Sequence, residues 1–251
     1  MKKFAFTLAE TLIVIGVIGI VSALTLPNLN SSTGNKEKVA KVKKLYQNLQ
    51  DGFGRATAIY GPIDTWFIAD DDNAAQTRFA ERMLDYFKVS KTCFDTNTIS
   101  CTEGNKHKLL NGNDSGQDTR TQKSVLLADG SGLTFSLLSK NCIYSGIDDR
   151  DDFCGMIVVD IDGANGANVF GKDTFSFWVK KDGIYPVGYN DSTLGQRMRS
   201  GEIDICKAKE ILQNGCAGWV TEYDNMDYLK TDDRGNCPNG VQLSGTNPSC
   251  K

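Results

Sequence analysis

One histidine, His107, and no C-x-x-C pair occur in 251 residues. A Ser-His-Asp or Cys-His arrangement would hang on that single imidazole. It sits in the Asn-, Gly-, Ser-, Gln- and Thr-rich stretch 105–123, which reads as an exposed loop. G-x-S-x-G, P-loop and H-E-x-x-H strings are also missing, so the motif-bearing hydrolases, nucleotide hydrolases and zinc proteases are excluded, and no enzyme is expected. Lack of C-x-x-C argues against zinc ribbons and thioredoxin-like redox chemistry. An excess of one charge is absent too. With 28 basic against 31 acidic side chains and a net charge of −3, nucleic acid is not an expected partner outside a DNA-uptake variant. A second long hydrophobic run is wanting, which leaves a polar, loop-rich globular head beyond the N-terminus.

What is present begins with cysteine. Cys93, Cys101, Cys142, Cys154, Cys206, Cys216, Cys237 and Cys250 all follow the hydrophobic run. An even count without metal spacing favours disulfides formed in an oxidising compartment, hence a head outside the cytoplasm. Eight cysteines allow about 105 connectivities. Pairing of neighbours (93–101, 142–154, 206–216, 237–250) closes the shortest loops, and free buried thiols are the alternative.

The hydrophobic run itself, Phe6 to Leu26, holds one charge, Glu10, and follows only Met1-Lys2-Lys3-Phe4-Ala5. As a helix it is roughly 31 Å long, enough to cross a bilayer core. Three readings compete. A secretory signal would be cut near Val21-Ser22-Ala23, although Glu10 then interrupts its apolar region. A plain anchor explains the length, with Thr7-Leu8-Ala9-Glu10 as a capping box. The third takes the whole string Lys2-Lys3-Phe4-Ala5-Phe6-Thr7-Leu8-Ala9-Glu10-Thr11-Leu12-Ile13-Val14-Ile15-Gly16, which resembles the prepilin-type cleavage and methylation motif of type IV pilins and type II secretion pseudopilins.

That resemblance implies a cut between Ala5 and Phe6, which makes Glu10 the fifth mature residue and Pro27 the twenty-second. Ala5 stands where the family usually has glycine, and Thr11 where it usually has a large apolar residue. The family's chemistry implies that Glu10 meets the new α-amine of Phe6 on an adjacent subunit, with Pro27 bending the helix. Breaking such a buried pair costs ~3–5 kcal/mol, so it would specify stacking register. The implied partners are the chain itself and other pilin-like subunits, a prepilin peptidase, an inner-membrane platform protein, an assembly ATPase, and membrane lipid before assembly. The implied location is a single-pass inner-membrane protein that moves into a cell-surface pilus or a periplasmic pseudopilus. An exported or membrane-anchored ligand-binding protein or enzyme, using the segment only as signal or anchor, is the alternative.

The expected architecture is α+β and pilin-like: leader 1–5, a long helix over 6–60 with a membrane-spanning first half (about 6–26), and a disulfide-bonded head over 61–251. Pro27 and the turn-forming residues Asn30–Asn35 predict a break near Leu24–Asn30, with helix resuming near Lys36. Val39, Val42, Tyr46, Leu49, Phe53, Ala56 and Tyr60, widened by Leu45 and Ile59, then mark one apolar face ending before Gly61-Pro62. It can pack on the chain's own antiparallel sheet or form a coiled coil. Lys36, Lys38, Lys41, Lys43 and Lys44 read as a solvated face or a contact for neighbouring subunits. A second helix is predicted over Ala74–Phe87, a hairpin around Asp129-Gly130, and strands over Met156–Asp160 and Thr174–Val179.

Between the last two strands, Asp160, Asp162, Asn165, Asn168 and Asp173 gather oxygen donors on turn-forming glycines. Calcium is the candidate cofactor for such a set. The loop is not an EF-hand, because Ala164 and Gly171 occupy required ligand places, and a turn bonding its own backbone is the other reading. Trp178, Trp219 and Tyr185 suggest a ligand pocket or ordinary packing, and Asp224–Tyr228 a surface for a partner.

Overall fold

The computed structural model describes residues 8–94, 101, 107–115, 122–143, 152–163, 165–166, 168–189, 196, 200, 216–232 and 234–251, with backbone alone over 22–33. The chain divides into two compact units, Met1–Glu37 and Lys38–Lys251. Helix α1, Leu8–Tyr60, contributes residues to both.

In the first unit every residue from Leu8 to Val21 is exposed, including Leu8, Leu12, Ile13, Ile15, Ile18 and Ile20. This corrects the expected membrane-spanning first half: among the described residues, no helix is long and apolar enough to cross a membrane. The expected break at Leu24–Asn30 is likewise absent, since α1 is helical through Pro27 and Asn35. A proline forfeits one amide bond and strains one turn, which a long helix can absorb without ending.

In the second unit α1 buries Val39, Val42, Leu45, Leu49, Phe53 and Ala56. Tyr46 stacks on Phe177 at 5.4 Å, and Gln50 Nε2 donates to the Ile184 carbonyl at 2.7 Å. The apolar face is thus spent on the chain's own sheet. Ile59, placed on that face by spacing, is 66 % exposed. Gly61, at φ +81°, closes α1 ahead of Pro62 by donating its amide to the Thr57 carbonyl.

Helix α2, Asp72–Leu84, is capped by Asp71, whose carboxylate accepts from the Ala74 amide at 2.7 Å. It buries Ala75, Phe79, Ala80 and Met83. The sheet comprises β1 (Val89–Cys93), β2 (Lys123–Leu127), β3 (Gly132–Leu137), β4 (Phe153–Asp160), β5 (Thr174–Lys180) and β6 (Ile184–Pro186), antiparallel in chain order. β2 and β3 form the hairpin predicted at Asp129-Gly130. One face of the sheet (Leu133, Phe135, Ile157, Val159, Phe175, Phe177) meets α1 and α2 in a single core, with Phe79 edge-on to Phe135 at 5.6 Å. Helix α3, Cys216–Tyr223, adds Trp219 and Val220 to that core.

Disulfides join Cys93 to Cys101, Cys142 to Cys154 and Cys237 to Cys250, each a neighbouring pair. Cys216 is also disulfide-bonded, and Cys206 lies outside the described residues.

Candidate functional site

Asp160 ends β4 with 1 % of its surface exposed. Its Oδ1 accepts from the amides of Asp162 (3.2 Å) and Gly163 (2.9 Å), which curls the chain out of the strand. Gly163 sits at φ +64°, and a Cβ there would collide with the Gly130 carbonyl oxygen, so glycine lets this loop seat on the β2–β3 turn. Asn165 donates its amide and side-chain nitrogen to the Asp162 carbonyl, at 3.3 and 3.1 Å. Asp173 accepts from the Val169 amide and the Thr174 hydroxyl, and its carbonyl receives the Ile161 amide at 2.9 Å.

The five oxygen donors named from sequence therefore divide. Asn165 and Asp173 close the loop on itself, as the turn reading expects, and the Asn168 carbonyl accepts from the Lys108 amide at 2.9 Å. Asp160 and Asp162 are brought together, with Asp160 Oδ2 and Asp162 Oδ1 buried and receiving no hydrogen bond. Burial, reinforced by the neighbouring Asp162 carboxyl, pushes Asp160 up to about 8. Burial also raises Asp173, against the Val169 amide that stabilises its charge. Among the described residues, no group of three or more His, Cys, Asp or Glu side chains converges as a metal-ligand set. A pair of orphaned carboxylate oxygens still fits an ion that takes its remaining ligands from carbonyls and water.

His107 stands beside this loop's far end. It is 1 % exposed, tilted against Phe170 at 5.1 Å, where sequence placed it in an exposed loop. Composition misled here because backbone pairing buries it: the Lys108 amide donates to Asn168 and the Phe170 amide to Lys108. Burial lowers its pKa.

At the other candidate site, Glu10 lies in the first turn of α1 and is exposed. Ala5 and Phe6 lie outside the described residues, so the Ala5–Phe6 cleavage site and the Phe6–Glu10 pairing do too. Pro27 is inside α1.

The remaining expectations resolve into structure. Trp219 is in the main core, whereas Trp178 packs with Phe153 and Val187 in a separate small cluster; half-buried Tyr185 bonds Asp182. Asp224–Tyr228 is not a free surface: Met226, Asp227 and Tyr228 are buried. Asp227 holds the chain's end by accepting from Ser249 Oγ at 3.0 Å and the Cys250 amide at 2.8 Å. Two of the α1 lysines are paired within the unit, Lys43 with Asp224 and Lys44 with Asp129.

No family model matches this chain, and neither a curated protein nor a solved structure is similar to it.

Proposed function

We propose that this chain is a structural subunit of a type IV pilus or a type II secretion pseudopilus, processed at its N-terminus and assembled into a filament. One observation carries the reading: nine large apolar side chains (Leu8, Leu12, Ile13, Val14, Ile15, Val17, Ile18, Ile20 and Val21), each more than half exposed, surround a helix whose first turn holds a lone acid. Apolar surface gains about 25 cal/mol per Å² when it leaves water, so a bare helix of this kind is driven to associate. Packing like helices together covers the apolar surface and draws Glu10 out of water with it, where a carboxylate gains from a cation. The new α-amine of Phe6, freed by a cut after Ala5, supplies the cation from an adjacent copy. The acid then selects the docking partner and its register, and performs no catalysis. Cystines in the second unit accord with a filament displayed outside the cytoplasm.

Sequencing the mature N-terminus tests the processing step. A start at Phe6 is expected; a start at Leu24 identifies ordinary export, an intact Met1 a simple anchor, and either overturns the proposal. Glu10→Ala is expected to abolish recoverable filaments while leaving the second unit folded. Normal filament yield in that variant would refute the role given to the acid.

A further inference from the structure

We propose that the second unit binds a small organic carboxylate in the cleft where α1 meets the α2–β1 connection and the β2–β3 turn. The cleft encloses about 400 Å³, within the ~300–1,000 Å³ span of small-molecule sites. Three stretches far apart in the chain line it: one on α1, one between α2 and β1, and one at the end of β2.

These walls are fixed to one another. The Ala128 amide donates to the Lys88 carbonyl at 2.8 Å, beside the Val89–Leu127 pairing of β1 with β2. The Leu127 amide and carbonyl close the turn by bonding the Ser131 carbonyl at 2.8 Å and the Gly130 amide at 3.0 Å. The Phe87 ring lies against α1 at Gly52, where the missing side chain lets it sit close. A cleft held in this way exists before its ligand arrives, so little ordering opposes binding.

The polar groups of the lining select an anion. Its two acids are already engaged. Asp51 pairs with Arg55 at 3.0 Å, and Asp129 accepts from the Ser131 amide and hydroxyl at 3.1 and 2.5 Å. Its donors are uncommitted. Among the described residues, the Lys88 ammonium, the Asn48 side-chain amide and the Tyr86 hydroxyl have no hydrogen-bond or ion-pair partner, and Lys44 reaches Asp129 only at 4.0 Å. Two lysines thus offer charge to an acceptor that the chain itself does not supply. Buried Leu127 and half-buried Phe87 add apolar surface to the lining. A bare inorganic anion would leave that surface uncovered, whereas a carboxylate on a short apolar body uses both parts. This inference concerns the second unit alone, so it stands or falls separately from filament assembly.

Calorimetric titration of the full-length protein in a non-ionic detergent tests it, with acetate, hexanoate, benzoate and phenylacetate as probes. At least one of the three larger acids should saturate a single site per chain with a Kd below about 5 mM. Acetate and the uncharged amide of that acid should each bind at least about tenfold more weakly. Lys44→Gln/Lys88→Gln changes two exposed side chains, and it should cost at least about tenfold in affinity while the thermal midpoint stays within about 2 °C. Lys88→Gln alone should show part of that loss, and Lys88→Arg should restore it. Failure of all four acids to saturate by about 20 mM overturns the proposal. So does unchanged affinity in the double variant. Equal binding of the acid and its amide also overturns it, since the cleft would then be an apolar crevice indifferent to charge.

Discussion

His107 shows how far a single side chain's environment can depart from its composition. A lone histidine in a polar stretch is an exposed residue by every local rule, yet two backbone pairings carry it against Phe170. Its pKa is lowered by burial from 6.5, so the folded state prefers the neutral ring. The sign follows directly. Below 6.5 the unfolded chain takes up a proton that the folded chain refuses, so stability falls as pH drops through 6.5 toward the depressed folded value. Urea midpoints measured from pH 7.5 to 5 should show wild type losing ground relative to His107→Phe, which keeps a ring against Phe170 and cannot titrate. Parallel curves for the two would mean that His107 carries no such linkage. Asp160 and Asp162 make the same point for acids: sequence could name them as oxygen donors, but only the fold buries Asp160 and leaves one oxygen of each without a hydrogen bond.

At the scale of elements, the spacing of apolar residues from Val39 to Ala56 identified the face of α1 that packs, because a helix repeats its faces every 3.6 residues whatever lies opposite. α2 and the β2–β3 hairpin were legible for similar local reasons, a capping acid and an Asp-Gly turn. Edge strands were not. β1 is mostly exposed and β6 only three residues long, so neither carries an alternating pattern. Gly52 and Gly54 divide along this line. Glycine costs a helix interior stability at either place, but a Cβ on Gly52 would meet the Phe87 ring at 3.0 Å, while one on Gly54 meets nothing within 4 Å. Gly54→Ala should therefore stabilise by about 0.5–1 kcal/mol. Gly52→Ala should gain less or lose stability, as Phe87 must give way. Chemical denaturation of the two variants checks the contrast; equal gains would show that Phe87 moves freely.

Across the whole molecule, every residue of the main core lies between Val39 and Cys250, within the second compact unit. A chain beginning at Lys38, secreted into an oxidising compartment, should fold with a cooperative transition within a few degrees of the full-length protein. Reduction should lower that transition strongly, since removing a native disulfide typically costs 2–5 kcal/mol. Failure of the shortened chain to fold would show that the first unit contributes stability as well as surface.

The amino-acid order alone determined the features that depend on neighbours in the chain: the motif around Phe6 and Glu10, the packing face of α1, the capped second helix, the hairpin, and a cysteine spacing that favours short loops. Tertiary structure decided the rest, because burial is a property of what lies opposite. It set which apolar residues stay exposed between Leu8 and Val21, that Ile59 is left out of the core, and which two of five oxygen donors keep a buried oxygen without a hydrogen bond.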